Sequence, residues 1–339
     1  MPGKHRLSMS GRRRQAATAM AIMALSFAAV ALVVRAQPVS TVPRLVLAAG
    51  ATFVPVVTLW GLITAVRCRR ILLSIIAVFL VTASLATQVS WYYKGHPPAV
   101  GEHVEIRVLS SNLRYGLADP MVFVGLAKDS ADLITVAELT PEAITRFTEA
   151  GLEETFPYSE LFPGPGAAGI GIWSRYPLTE LTTPMHSGVL MPAARVDFPG
   201  LQIQPLIASV HVMSPVAGDQ NTVEDWANGM AGAKTQLDNF AAAAGPGAVI
   251  VGGDYNSTPD MRQFRDLLTD GYHDAVEQTG SGFAPTYPSD TWFPPVVTID
   301  HVLTRNAEAS SITTIEMPGS DHRSLLATIQ VPLEPVTTG

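Results

Sequence analysis

The sequence predicts an α/β layered domain over residues 104–332, standing behind three membrane-crossing helices in residues 1–94. Three observations predict this. There are three long apolar stretches without a charge, an abrupt change of charge near residue 95, and beyond it short β-branched runs alternating with amphipathic segments. Residues 1–94 hold eleven Lys and Arg and no acid. The other eleven basic residues face all 29 acidic ones in residues 95–339, a net charge of −18 for that part. Such a surface weighs against a partner bound through many phosphates, which needs a basic stripe.

The apolar stretches run from about Ala16 to Val34, Leu45 to Val66 and Ile71 to Tyr93. Each has about the ~20 residues a helix needs to cross the hydrocarbon core. Lys4, Arg6, Arg12, Arg13 and Arg14 precede the first, and Arg67, Arg69 and Arg70 fill the turn between the second and third. Only Arg35 and Arg44 lie between the first and second. The positive-inside rule therefore predicts a multi-pass cell-membrane protein whose C-terminal part is extracytoplasmic, with Trp91, Tyr92 and Tyr93 at the outer interface. A cleaved first stretch is the rival reading, and it exports the same part. Residues 95–103, with Pro97, Pro98 and Gly101, read as a linker, and 333–339 as a tail. Cys68 is the single cysteine, so no intrachain disulfide forms.

Strands are predicted over 104–111, 133–137, 169–174, 193–198, 203–212, 247–253, 297–304 and 324–331. Helices are predicted over about 119–129, 141–149, 222–243 and 260–268, the third opened by Glu224 and Asp225 in its first turn. Many strands with interspersed helices make layers.

Polar residues gather where the strands stop. Asn112 follows the first, Glu138 the second, His211 ends the fifth, Asp254 and Asn256 follow the sixth, Asp300 lies in the seventh, and Asp321 and His322 precede the last. Strand ends are where layered α/β folds build sites. Taken singly, each residue has a plain structural explanation: an Asx turn for Asp254 and Asn256, a turn for Asn112, a helix cap for Glu138, a core histidine for His211. Asp300 and the Asp321–His322 pair are harder to explain so, because a charge beside a buried strand needs a partner, and together, in this order, the residues point to a functional site.

The segments SSNLRYG, VAELTPE, GIGIWSRYPL, SVHVMSP, VGGDYNSTPD, TYP, TIDHVL and GSDHRSLL resemble the signature blocks of the endonuclease/exonuclease/phosphatase (DNase I-like) superfamily, in family order across residues 104–331. The resemblance implies a four-layer α/β sandwich and a metal-dependent phosphoesterase. It implies that Asn112, Glu138 and Asp321 hold a divalent ion, Mg²⁺ or Mn²⁺, both of which favour oxygen ligands. Asp254 would activate water, Asn256 and His322 would meet the phosphate, Asp300 would orient His322, and His211 would act near the leaving group. The implied partner is a phosphate ester, whether a lipid head group, a nucleotide or a nucleic acid. No protein partner is predicted. An extracellular nuclease and a non-catalytic module binding a phosphorylated ligand are the alternatives.

Three departures from the family pattern stand out: Tyr255 where Phe is common, Ser324 where Pro is common, and no acid directly after Asn112. The run Gly164–Gly169 matches G-x-G-x-x-G but leads into a strand, which a dinucleotide fingerprint does not. His186, His273 and His301 show no ligand spacing, so no zinc site is predicted. Loops 113–120, 157–168, 213–223 and 281–295 are where the resemblance places specificity, and Tyr287, Trp292 and Phe293 in the last either contact substrate or pack, with packing the favoured reading.

Overall fold

The structure is a computed structural model describing residues 11–97, 101–218 and 221–334. Lys4 and Arg6, linker residues 98–100 and tail residues 335–339 lie outside the described residues. The chain opens with α1 (Gly11–Arg35), α2 (Val42–Ala49), α3 (Val54–Arg67) and α4 (Ile71–Tyr92). By length and composition Gly11–Arg35, Val42–Arg67 and Ile71–Tyr92 can each cross a membrane. Arg14 Nε donates to the Cys68 carbonyl at 2.8 Å, which puts the start of α1 beside the 67–70 turn.

The second stretch is not one continuous helix, as its hydropathy suggests. A 3₁₀ turn, Gly50–Phe53, separates α2 from α3. Pro55, within the first turn of α3, has no N–H to carry the preceding helix onward. Leu45 and Ala48 of α2 are buried with Trp226, Phe264 and Leu237 from the C-terminal part, so α2 packs against that part.

The rest is two six-stranded sheets. In chain order the strands are β1 (His103–Asn112), β2 (Leu133–Ala137), β3 (Tyr158–Phe162), β4 (Ile170–Ser174), β5 (Leu178–Leu181), β6 (Ala193–Val196), β7 (Leu206–His211), β8 (Val249–Asp254), β9 (Tyr272–Asp274), β10 (Asp300–Arg305), β11 (Glu308–Glu316) and β12 (Arg323–Pro332). One sheet runs β11-β12-β1-β2-β4-β3 and the other β5-β6-β7-β8-β10-β9. Each is antiparallel except for one central parallel pair, β1 with β2 and β7 with β8. The helices are α5 (Pro120–Ser130), α6 (Pro141–Glu149), α7 (Thr222–Ala244), α8 (Arg262–Leu267) and α9 (Ala275–Thr279).

Three apolar layers hold the sandwich together. Between the sheets lie Ile106, Val108, Ile172, Ile207, Ile250 and Val302. Outside the first sheet, Phe123 of α5 stacks on Phe147 of α6 at 4.6 Å, and Phe147 meets Trp173 of β4. Outside the second, Trp226, Leu237 and Phe240 of α7 cover β7 and β8. The result is the expected helix–sheet–sheet–helix sandwich of the DNase I-like fold. Local chemistry starts its helices: Asp119 accepts from Met121 N and Val122 N ahead of Pro120, and Thr140 accepts from Ala143 N ahead of Pro141.

Strands β3, β5, β9 and β11 and helix α9 are absent from the sequence reading. All four strands are sheet edges, and the half-exposed residues of β3, β5 and β11 carry little apolar signal. Residues 95 and 96 do not hang free as a linker. His96 N donates to the Gln278 carbonyl at 2.7 Å.

Asp260 joins the helices to the sandwich. Its carboxylate accepts from Arg35 Nε at 2.5 Å, Thr52 Oγ1 at 2.8 Å and Gln88 Nε2 at 3.2 Å, one donor from each long apolar stretch.

Candidate active site

Strand register assembles the site. His211 on β7 stands directly opposite Asp254 on β8, and Asp254 opposite Asp300 on β10, so three polar side chains sit side by side at one edge of one sheet. Asn112 ends β1 in register with Ala137, the residue before Glu138. The two parallel pairs thus deliver their C-terminal ends, from opposite sheets, to one place.

Backbone conformation aims the side chains. Glu138 (φ 59°) and Asn256 (φ 47°) occupy the left-handed region just past their strands, which turns their side chains back toward the strand ends. Gly253 has φ 154°, and a Cβ there would collide with the Val210 carbonyl, so glycine is what lets β8 lie close to β7 one residue before Asp254.

Asn112 Nδ2 donates to Glu138 Oε1 at 3.1 Å and to Asp254 Oδ2 at 3.0 Å, while its Oδ1 accepts from Arg114 N at 2.8 Å. Its amide nitrogen therefore faces the carboxylates. Presenting the oxygen to an ion needs a half-turn of the amide and the loss of the Arg114 bond. Glu138 Oε2 accepts from Tyr115 N at 2.7 Å. Asp254 accepts from Asn256 N at 2.7 Å and Asn256 Nδ2 at 3.2 Å. His211 Nδ1 donates to the Ala167 carbonyl at 3.0 Å, leaving Nε2 pointing between Glu138 and Asp254, 3.9 Å from each.

His322 Nδ1 meets Asp300 Oδ2 at 2.8 Å, and its Nε2 faces Asp254 Oδ2 at 3.8 Å. Burial works against charge on this ring. Asp300, Asp254 and Asp321 outweigh it and raise the pKa to about 10. For Asp254, burial and then the negative Asp300 push the pKa up to about 6, against the pull of His322 and His211. The site therefore pairs an imidazolium with a carboxylate whose proton affinity lies near neutrality, a combination suited to acid–base work.

Glu138, His211, Asp254, Asn256, Asp321 and His322 line one cavity of about 330 Å³. Asn112 and Asp300 lie behind it, bonded to lining residues. Glu138 has only His211 as a basic group within 4.0 Å among the described residues, and Asp321 has only Arg114, at 3.9 Å. Two under-compensated carboxylates on a common wall fit a hard divalent ion, which takes oxygen ligands and retains water. Asp254, Asp300 and His322 also bring one donor atom each within 4.8 Å of one another. Their hydrogen bond and burial make that trio a proton-holding unit instead.

The cavity has further lining residues. Tyr287 lines it, with its ring centroid 4.9 Å from that of His322. Trp292, expected to pack, is 96% exposed. Leu45 and Ala49 of α2 also line the cavity, beside Met213, Val216 and Val297. Their only sequence signal was hydrophobicity, which assigned them to the membrane. His301, by contrast, is a satisfied core residue, held by Asp274 at 2.6 Å and the Ser257 carbonyl at 2.9 Å.

A family model for the Endonuclease/Exonuclease/phosphatase family matches residues 95–322. Among solved structures, the chain is similar to an endonuclease/exonuclease/phosphatase family protein from Bacteroides thetaiotaomicron, with 12% identity and a TM-score of 0.54, over 71% of this chain and 100% of that one. It is similar to D. rerio TDP2 complexed with single strand DNA product, with 18% identity and a TM-score of 0.53, over 66% and 98%. It is also similar to the 3′ phosphatase NExo from Neisseria bound to a product DNA hairpin, with 16% identity and a TM-score of 0.53, over 66% and 98%. No curated protein matches it.

Proposed function

We propose, for a chain that belongs to the endonuclease/exonuclease/phosphatase family, a membrane-anchored, divalent-metal-dependent phosphoesterase that hydrolyses a phosphate ester presented at the bilayer surface. The observation that carries this reading is the shared lining of one cavity by Glu138, His211, Asp254 and His322 and by Leu45 and Ala49 of an apolar helix. Residues 1–94 are the membrane region, 95–103 the junction, 104–332 the catalytic domain and 333–339 the tail. The arginines at 12–14, 67, 69 and 70 favour the cytoplasmic side for the far end of the helices, which leaves the catalytic domain extracytoplasmic.

The geometry supports a role for each residue. Asp254, with its raised pKa, takes the proton of the attacking water. Asn256 holds Asp254 through its N–H, and its Nδ2, bonded to the Val212 carbonyl and to Asp254, would exchange one of these partners for a phosphoryl oxygen. His322, kept protonated by Asp300, faces the charge that builds on that oxygen. His211 directs Nε2 into the cavity and is placed to serve the leaving oxygen. Glu138 and Asp321, with the Asn112 oxygen after its half-turn, would hold Mg²⁺ or Mn²⁺. Such an ion supplies charge neutralisation for in-line displacement at phosphorus.

The substrate is best read as a lipid-linked phosphate ester. Leu45, Ala49, Met213 and Val216 offer apolar contact next to the reacting centre, where a nucleotide offers sugar and base. The net charge of −18 after residue 94 repels long nucleic acid. A nuclease is the second reading, favoured by the DNA products named for two structural neighbours. A binding-only module is disfavoured because every implied catalytic side chain is present.

The test uses the full-length chain in mixed micelles. Hydrolysis of bis-p-nitrophenyl phosphate, a short-chain phospholipid and single-stranded DNA is compared with Mg²⁺, with Mn²⁺ and with EDTA. Metal-dependent turnover favouring the phospholipid supports the proposal. A preference for DNA transfers the assignment to the nuclease reading, and turnover indifferent to EDTA removes the metal.

A further inference from the structure

A second cluster of ligand-type side chains lies outside this cavity, where α4 hands the chain to the sandwich. His96 follows α4 by four residues, His273 sits in β9, Glu277 in α9 and Glu308 opens β11. Glu277 is the hub. Its Oε1 is 3.2 Å from His96 Nε2, and its Oε2 is 3.3 Å from His273 Nδ1. The two rings stand nearly perpendicular, with centroids 4.7 Å apart. One donor atom from each of His96, His273 and Glu277 lies within 4.8 Å of the others. Glu308 Oε2 approaches the remaining ring nitrogen of His96, Nδ1, at 3.3 Å.

We propose that His96, His273 and Glu277 form a second divalent-cation site, of the zinc class, that clasps the exit of α4 to the sandwich. Two imidazole nitrogens and a carboxylate form a zinc donor set, distinct from the oxygen-rich catalytic cavity, and imidazole selects the later transition metals over Mg²⁺. Glu308 takes the outer position. With His96 binding through Nε2, its Nδ1–H donates to Glu308, the carboxylate–histidine–metal arrangement that fixes a ring's tautomer and raises its basicity. A water completes the fourth position. The neighbouring cavity, lined by Lys94, His96, Glu277 and Arg35, gives an entry path. Lys94 is the one uncommitted cation there among the described residues, since Arg35 is held by Asp260.

Sequence spacing hides this site. His273 and Glu277 are four apart, but 176 residues separate His96 from His273. The expectation of no zinc site rested on local spacing, and the fold brings His96 and Glu277 to His273. The clasp closes the junction residues onto α9, which already accepts the His96 N–H through the Gln278 carbonyl.

The test uses the full-length chain in detergent, stripped with EDTA and titrated with Co²⁺ alone. A four-coordinate site with nitrogen ligands gives intense visible absorption, and an octahedral oxygen site gives almost none. The expected result is one equivalent of intensely absorbing Co²⁺, bleached by Zn²⁺, retained in His322→Ala and lost in Glu277→Gln. Glu308→Gln, which removes no direct ligand, should weaken Zn²⁺ about 10–100-fold and keeps the test decisive if Glu277→Gln misfolds. The absence of an intense band overturns the proposal, and so does a band abolished by His322→Ala, which places the ion in the catalytic cavity. Neither result touches the proposed hydrolytic activity, which is read separately.

Discussion

His322 Nδ1 and Asp300 Oδ2 lie 2.8 Å apart in a buried pair, with the other face of the ring turned to Asp254. The pair fixes both the orientation of the imidazole and its charge. Asp300→Asn keeps the shape and removes the charge. We expect kcat on bis-p-nitrophenyl phosphate to fall about 10²–10⁴-fold, as when the orienting carboxylate of other histidine-dependent hydrolases is neutralised. A loss below tenfold would detach Asp300 from the chemistry.

The same pair sets a pH dependence. The folded pKa of His322 is raised from 6.5 to about 10. A base raised on folding contributes stability that is complete below its ordinary pKa and disappears as pH rises through the folded value. In metal-free protein the ring should therefore stay doubly protonated at pH 8, visible as imidazolium ¹⁵N shifts, and titrate near pH 10. In Asp300→Asn its pKa should fall.

Asp254 shifts in the same direction, towards its protonated form, which for a carboxyl is the neutral one. Its pKa is raised from 3.8 to about 6, so folding favours its neutral form. That contribution is complete below pH 3.8 and disappears as pH rises through about 6. Asp254→Asn should then stabilise the metal-free protein at pH 8 by on the order of 1–3 kcal/mol while abolishing turnover. Denaturation in EDTA at pH 8 checks it; a destabilised variant contradicts the burial argument.

Asp260 receives one hydrogen bond from each long apolar stretch, and Arg35 faces it at 2.5 Å with both side chains mostly buried. Removing one member of a buried pair strands the other, at a cost of about 3–5 kcal/mol. Asp260→Ala should lower the thermal midpoint in detergent by on the order of 10 °C. Arg35→Met combined with Asp260→Leu should recover most of it, because neither charge is then left alone.

Leu45 borders the catalytic cavity from α2. Leu45→Glu places a carboxylate where an acyl or isoprenoid chain would lie. Turnover of a vesicle-borne phosphodiester should drop at least about tenfold, equivalent to ~1.4 kcal/mol of lost apolar contact, with soluble bis-p-nitrophenyl phosphate unaffected. Equal loss on both substrates would assign Leu45 to packing alone.

Much of the site was legible because parallel strands deliver their chemistry at their ends. Asn112, Glu138, His211 and Asp254 each terminate or follow a run of buried β-branched residues, a signal local in sequence. What lay hidden depends on distance along the chain. The edge strand β11, with the residues Ser310, Ser311, Thr313 and Thr314, carries too little apolar character to announce itself, and its strand pairing with β12 alone defines it. Arg114 looks like a loop residue until Asp290 is seen 2.8 Å away. Leu45 reads as membrane because hydropathy does not distinguish burial in lipid from burial against protein. The zinc-type cluster required His96 and His273 to meet through the fold.

The break at Gly50–Phe53 has a geometric consequence. With α2 packed on the sandwich, only the turn and the 14 residues of α3 would remain to cross a membrane on the proposed reading. They span about 8 Å and about 21 Å respectively, together nearly the ~30 Å of a hydrocarbon core. On the proposed membrane-anchored reading, Ala49, and with it the mouth of the cavity, would lie at the plane where lipid phosphates reside. An enzyme so placed would sample its substrate by lateral diffusion in two dimensions. Its rate should follow the mole fraction of substrate in the leaflet, and diluting the vesicles in buffer should leave it unchanged.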